Sequence, residues 1–395
     1  MKIYADNAAT TRMSEKALAV MIDSLRMDFG NPSSLYTIGQ DAKEKLEQAR
    51  EEIAAVIHAQ PREIIFTSGG SEADNQAIIS AASFGKKKGK MHIVSTAFEH
   101  HAVLHTLKKL EKDGFTVTYL PVHENGIVDV GELGDAIRED TCLVTVMAVN
   151  NEIGTIQPIT EIGALCRERK VIFHTDAVQA VGHLPIDVEE QNIDMLSASA
   201  HKFHGPKGVG FLYVRKGMPL TSLIEGGAQE RGKRAGTENL AGIMAMSTAL
   251  RESVDSMEEV RCRLTPIRDY LIEGLSKIPH CALNGDAVHR MCNNVNFSFE
   301  GIEGESLLIL LDQKGISASS GSACASGSLD PSHVLLAIGR VHDVAHGSVR
   351  FSLGEDATIA QADYIIAAVT EIVAYLRGFS PVWRDLCEGK REFIL

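Results

Sequence analysis

The chain reads as an α/β protein: a mostly parallel central sheet covered by helices, followed by a smaller α+β portion at the C-terminal end. Three observations predict this. Between about residues 60 and 215, short apolar runs alternate with longer amphipathic ones. The short runs are nearly continuous in apolar residues, as strands buried on both faces are, and do not alternate apolar with polar. Past Thr237 the texture changes to long helical patterns and then to isolated short strands. A length of 395 residues leaves room for about two domains and a large core.

The strand candidates, in order, are EIIFT (63–67), MHIVSTAF (91–98), FTVTYLPV (115–122), CLVTVMAV (142–149), KVIFHTDA (170–177), MLSASA (195–200) and GVGFLYV (208–214). Between them lie helical patterns such as EADNQAIISAASFGKKK (72–88) and HAVLHTLKKLEKDG (101–114). Two helices are expected next, over roughly 239–255 and 259–277. They are followed by NVNFSF (294–299), ESLLILLDQKG (305–315), VRFSL (349–353) and a last helix near 359–377. The division this suggests is a large α/β domain over 15–255 and a small α+β domain made of 1–14 with 256–395.

Bulk properties narrow the function classes. A net charge of −13 argues against nucleic acid or an anionic membrane as the main partner. The seven cysteines (142, 166, 262, 281, 292, 324 and 387) are scattered without CxxC or CxxH spacing, which predicts free thiols in a reducing cytoplasm. The opening MKIYADNAATTR has no apolar core for export, and no run is expected to span a bilayer. His101 and His105 share a helix face at i,i+4, but with no HExxH pattern and no third ligand nearby they are a poor zinc site.

In open parallel sheets, ligands bind beyond the carboxyl ends of the strands, so the polar residues there carry the chemistry. EIIFT runs into SGGSEADN (68–75), glycines and serines that open a helix whose free N–H groups suit a phosphate; taken alone, an ordinary capped turn explains it as well. MHIVSTAF leads to Glu99, His100 and His101; CLVTVMAV leads to Asn150, Asn151 and Glu152. KVIFHTDA carries His174 and Asp176 with Gln179 close behind, and MLSASA ends in His201 and Lys202. A phosphate turn, an imidazole, a carboxylate and a lysine on one sheet edge match the needs of pyridoxal phosphate: a lysine to bond it, an acid to keep its pyridine nitrogen protonated, and a cradle for its phosphate. Lys207, Lys216 and the stretch Arg231 to Arg234 read as solvated charge, the last also able to help hold a phosphate. The segment SSGSACASGS (319–328) contains nothing larger than its cysteine and has no periodicity, so it reads as a mobile loop carrying one thiol, Cys324.

The chain resembles the cysteine desulfurases, pyridoxal-phosphate-dependent enzymes of the class V aminotransferase family, and most of all their NifS-type branch. The motifs run nearly end to end: YADNAATT (4–11), FGNPSS (29–34), TSGGSEADN (67–75), EHHAV (99–103), NNEIGT (150–155), HTDAVQA (174–180), SAHKFHGPKG (199–208), GGAQERGKRAGTEN (226–239), SSGSACASGSLDPSHV (319–334), HGSVRFSLG (346–354) and FSPVW (379–383). The resemblance implies a fold-type I transferase in which Lys202 bonds the cofactor, Asp176 pairs with the pyridine nitrogen, His100 stacks on the ring and moves protons, and Gln179 contacts the phenolic oxygen. It implies that Gly70, Ser71, Ser199 and His201 hold the phosphate, with Thr237 reaching in from the second subunit of a homodimer. Asn151 and Arg350 would hold the substrate carboxylate. Cys324 would take the sulfur of L-cysteine as a persulfide, release L-alanine, and pass the sulfur to an iron–sulfur scaffold protein, with Cys324 itself touching the nascent cluster as a transient ligand. The endings SGSLDPSHV and FSPVW point toward cluster assembly for nitrogenase; the alternatives are a housekeeping desulfurase for general iron–sulfur assembly and transfer-RNA thiolation, or a non-catalytic sulfur carrier. Ala5, Tyr36 and Ala325 depart from common family usage, and the RxGxxC pattern of the branch with a shorter cysteine loop is absent.

Overall fold

A computed structural model describes residues 1–320 and 331–395 of the chain. Its strands are β1 (Ile3–Tyr4), β2 (Ile64–Thr67), β3 (His92–Thr96), β4 (Thr116–Leu120), β5 (Thr141–Thr145), β6 (Ile172–Asp176), β7 (Met195–Ser199), β8 (Gly210–Val214), β9 (Cys281–Leu283), β10 (Asn294–Phe299), β11 (Ile316–Ser317) and β12 (Ser348–Ser352). Seven of them form the main sheet in the order β2-β8-β7-β6-β5-β3-β4. β4, β3, β5, β6 and β7 run parallel, while β8 is antiparallel to both β7 and β2. β2, β3, β5, β7 and β8 are buried at every position, which explains why their sequences lack alternation.

The largest core lies against this sheet and gathers Ile53, Phe66, Val94, Phe98, Phe173, Phe203 and Phe211. A second core gathers Leu264, Leu271, Phe297, Phe299, Leu307, Phe351 and Ile365 around the antiparallel sheet β12-β10-β9. Ile3 and Ala5 belong to this second core, brought there by the parallel pairing of β1 with β11.

Two expectations need correction. The helices expected at 239–255 and 259–277 are one continuous helix, Leu240–Leu275. Its first half supplies Leu240, Ile243, Met246 and Leu250 to the first core; its last third supplies Leu264, Ile267 and Leu271 to the second. The intervening SVDSMEEVRC is mostly polar and so looks like a break, but it contains no glycine or proline, and its Val254 and Val260 pack against the first and second cores. The second correction concerns length: the helix Ile359–Phe379 is apolar and long enough to cross a membrane by composition alone. Its buried residues Ile365, Val369, Ile372 and Val373 sit in the second core, as those of a core helix do.

Candidate active site

The carboxyl ends of the strands open on a cavity of about 570 Å³ whose lining includes Gly70, Ser71, His100, Asn151, Asp176, Gln179, Ser199, His201, Lys202 and Arg350. One wall is the turn between β2 and the helix Gly70–Lys87. Gly69 takes φ +148°, open to glycine, and a Cβ on Gly70 would lie 2.5 Å from Val178 Cγ2. The turn is braced from behind: the Ser68 N–H donates to Glu72 Oε2 at 2.7 Å, and Arg234 Nε donates to Glu72 Oε1 at 3.0 Å. Arg234 is therefore no solvated charge. It steadies the turn through Glu72, whose carboxyl is held low by those two donors against the opposing effect of burial.

Opposite the turn, β6 ends in Asp176, which is 5% exposed and accepts the Val178 N–H at 2.9 Å. Burial pushes its carboxyl up, and the neighbouring His100 and Lys202 work against that. Beneath it His174 is fully buried between the hydroxyls of Thr145, 2.8 Å from Nδ1, and Ser197, 3.0 Å from Nε2. Burial drives this imidazole down to about 3, so it is neutral. Two more carboxyls are sealed nearby. Glu99 accepts Thr96 Oγ1 at 2.8 Å and the Met147 N–H at 3.0 Å, and burial lifts it to about 8. Asp74, on the first turns of the helix Gly70–Lys87, is 1% exposed.

Lys202 ends the short turn Ala200–Lys202 after β7, and its Nζ donates to the carbonyls of Ala8 at 2.6 Å and Ala9 at 2.8 Å. Gln179 Nε2 donates to the same Ala8 carbonyl at 2.9 Å. The N-terminal segment YADNAATT thus closes the floor of the site, and Thr10 Oγ1 lies 3.2 Å from His201 Nδ1. His100 caps the helix His101–Lys112, its Nδ1 accepting the Ala102 N–H at 3.1 Å. At the far rim Arg350, 1% exposed on β12, donates Nη1 to the Asn151 carbonyl and Nη2 to Asp6 Oδ1, each at 2.7 Å.

The family follows from sequence likeness along almost the whole chain. Residues 3–365 match the model of the family described as Aminotransferase class-V. The chain belongs to the class-V aminotransferase family. It is 52% identical over 394 residues to a protein named cysteine desulfurase IscS from Clostridium botulinum strain Hall, covering 99% of both chains. A solved structure named NifS-like protein superposes with a TM-score of 0.89 at 38% identity, covering 95% of this chain and 100% of that one. Another, named SspA in complex with cysteine, gives a TM-score of 0.78 at 36% identity over 89% of this chain and 99% of that one.

As a class-V aminotransferase, the chain draws nearly all of the expected site residues to one cavity. Gly70, Ser71, His100, Asn151, Asp176, Gln179, Ser199, His201, Lys202 and Arg350 all line it, and Lys207, expected to be plain solvated charge, stands at its mouth. Thr237 does not join them: it is exposed and is absent from the cavity wall of its own chain. Cys324 lies outside the described residues. The lining fits pyridoxal phosphate. Gly70 leaves no room for a side chain where a phosphate would meet the helix N–H groups, and a sealed carboxyl and a lysine face each other across the space beyond.

Sequence reasoning gave no role to Asp6, Asp74 or the Glu152–Ser332 hydrogen bond, which ties the segment after the undescribed residues to the first core. Asp74 left a usable signal. It stands on the buried stripe of its helix with Ala73, Ala77, Ile78 and Ala81, where a carboxylate has no business unless the site employs it. Asp6 and Ser332 left none, because their partners lie 344 and 180 residues away.

Proposed function

We propose that the protein is a pyridoxal-phosphate-dependent cysteine desulfurase that takes sulfur from L-cysteine, releases L-alanine and leaves a persulfide on Cys324. The observation that carries this reading is the convergence of Lys202, Asp176 and the Gly69–Gly70 turn on one cavity with a buried guanidinium, Arg350, at its rim. Near-full-length identity to proteins named cysteine desulfurase supports it.

When bound, the cofactor supplies an electron-accepting ring that stabilises the charge left when a substrate Cα loses its proton. The chain's own residues do the rest. The turn before Gly70–Lys87, with Ser71, Ser199 and His201, would hold the phosphate; Asp176 would set the protonation of the ring nitrogen and Gln179 would face the phenolic oxygen. Lys202 would bond the cofactor and serve as the base for the Cα proton, while His100 would cover the ring and take part in proton transfer. Arg350 and Asn151 orient the substrate carboxylate.

The working unit in this reading is a homodimer. Thr237 sits on an exposed loop, and Leu25, Met27, Phe29 and Leu35 are 65%, 73%, 77% and 94% exposed, an apolar stretch suited to a second copy. The acceptor is an iron–sulfur scaffold protein in the cytoplasm, and Cys324 serves there as a transient cluster ligand. The endings SGSLDPSHV and FSPVW favour supply of nitrogenase clusters, whereas the name IscS borne by the full-length relatives favours general assembly. Alanine and sulfide measured from free cysteine, with and without a reductant, test the activity. Alanine in stoichiometric yield without reductant, and catalytic yield with it, is the expected result. Protein with no visible cofactor band that makes no alanine would overturn it.

A further inference from the structure

We propose that Asp74 is a positioning residue of the cofactor pocket, carried as the neutral carboxylic acid beside Asp176 so that Asp176 alone of the pair bears charge toward the pyridine nitrogen. The inference rests on the pyridoxal phosphate reading of the pocket and deepens it. One ligand atom each of Asp74, Asp176 and His100 lies within 4.8 Å of the other two, so the two carboxyls are close neighbours on the cavity wall. They are 1% and 5% exposed. Two carboxylates so close and so dry cannot both ionise, because desolvation and mutual repulsion act together.

The surroundings decide which of the two gives way. Asp176 accepts a backbone N–H from Val178, and the nearby His100 and Lys202 favour its ionised form. Asp74 Oδ1 has no hydrogen-bond partner among the described residues. The ring facing it, His174 Nε2 at 3.7 Å, is already satisfied by Ser197 and stays neutral. Burial pushes the Asp74 carboxyl up, the Asp176 carboxylate acts in the same direction, and Glu99 adds to this only where it is ionised, while only the Ser197 hydroxyl opposes them. Environments that pull two neighbouring carboxyls apart in this way give them different protonation states and different tasks. A negative Asp74 would compete with Asp176 for the ring proton. A neutral one leaves the charge on Asp176.

Infrared spectroscopy of the full chain tests this, as purified and again after the cofactor is stripped with hydroxylamine. A protonated carboxylic acid shows a carbonyl stretch separate from that of a carboxylate. Wild type minus Asp74→Asn at neutral pH should show one such band, and labelling with isotopic aspartate should shift it, separating it from Glu99 without any substitution. In Asp176→Asn the pH at which that band disappears should fall by about one unit or more, a tenfold change in proton affinity, because the repelling charge is gone. A difference spectrum without an acid band, or a band whose midpoint ignores Asp176→Asn, overturns the proposal. Failure of the cofactor reading looks different: the purified protein would hold no pyridoxal phosphate, while the stripped-state bands would still decide the charge on Asp74.

Discussion

Among the described residues Arg350 is one of the largest fully buried side chains, and its planar fork is held at both ends, by the Asn151 carbonyl and by Asp6. A guanidinium prepaid in this way loses little freedom when a substrate carboxylate arrives. Arg350→Ala should therefore act on substrate binding: loss of a charge-assisted contact costs about 2–3 kcal/mol, so the KM for cysteine should rise by roughly tenfold or more, with kcat falling less. Steady-state kinetics check it, and an unchanged KM would assign the carboxylate to another residue. Glu99 makes a second residue-scale prediction. Burial lifts its carboxyl from the ordinary 4.5 to about 8 in the folded chain. The folded state thus binds this proton more tightly than the unfolded one, and the associated stability is complete below pH 4.5 and drains away as pH rises toward 8. Glu99→Gln removes the proton from the equilibrium. Measured by denaturant titration, the stability of Glu99→Gln relative to wild type should increase steadily between pH 5 and 8; a flat difference would show that Glu99 ionises as freely folded as unfolded.

Elements set the spacing on which those residues depend. β8 and the phosphate turn touch at Gly210, where a Cβ would lie 2.4 Å from the Ala198 carbonyl oxygen and 2.8 Å from Gly69 Cα. Both neighbours are backbone, so neither can swing aside. Gly210→Ala should cost about 1–3 kcal/mol of stability, as overpacking does, and loosen cofactor retention by displacing the turn. Gly378→Ala meets nothing within 4 Å and serves as the control; equal loss in both, by thermal melting and cofactor dissociation, would refute the steric account. The same closeness explains what a sequence can reveal. All seven strands of the main sheet stand within the apolar runs or one residue beyond them; for β2, β3, β5, β7 and β8, buried on both faces, burial is written into every position, whereas β4 at the edge is half-exposed. Strand-end residues such as Asp176 and Lys202 were legible for the same reason: the end of an apolar run marks the edge where ligands bind. β9 and the β1–β11 pair were not, being two or three residues long and defined by partners far away in sequence. Nor was the unbroken helix Leu240–Leu275, whose mostly polar middle has only a few apolar residues, such as Val254 and Val260, to announce it.

At the scale of the whole molecule, the reaction as proposed has to end with a sulfur atom leaving the protein, and the distribution of thiols bears on where it departs. Among the described residues, Cys142 and Cys166 are buried, and burial pushes them up to about 11 and about 12. Cys281 and Cys292, half-buried, are raised by the same cause. Cys262 is exposed, but a hydrogen bond to the Glu258 carboxylate raises it too, and a thiol held protonated is a poor nucleophile. Cys387 is exposed near the far end of the chain, on the helix Pro381–Cys387. That leaves Cys324 as the thiol that sequence places among residues too small to pack. Cys324→Ser should leave the lining of the cavity intact, so cysteine should still perturb the visible cofactor spectrum, while sulfide release falls to background because a hydroxyl does not attack sulfur as a thiolate does. Cys387→Ser should leave sulfide release at the wild-type rate. Mass spectrometry after brief exposure to cysteine without reductant should find the added sulfur on the peptide containing Cys324. Sulfur on the Cys387 peptide, or full-rate release by Cys324→Ser, would move the exit to the other end of the chain and sink the assignment.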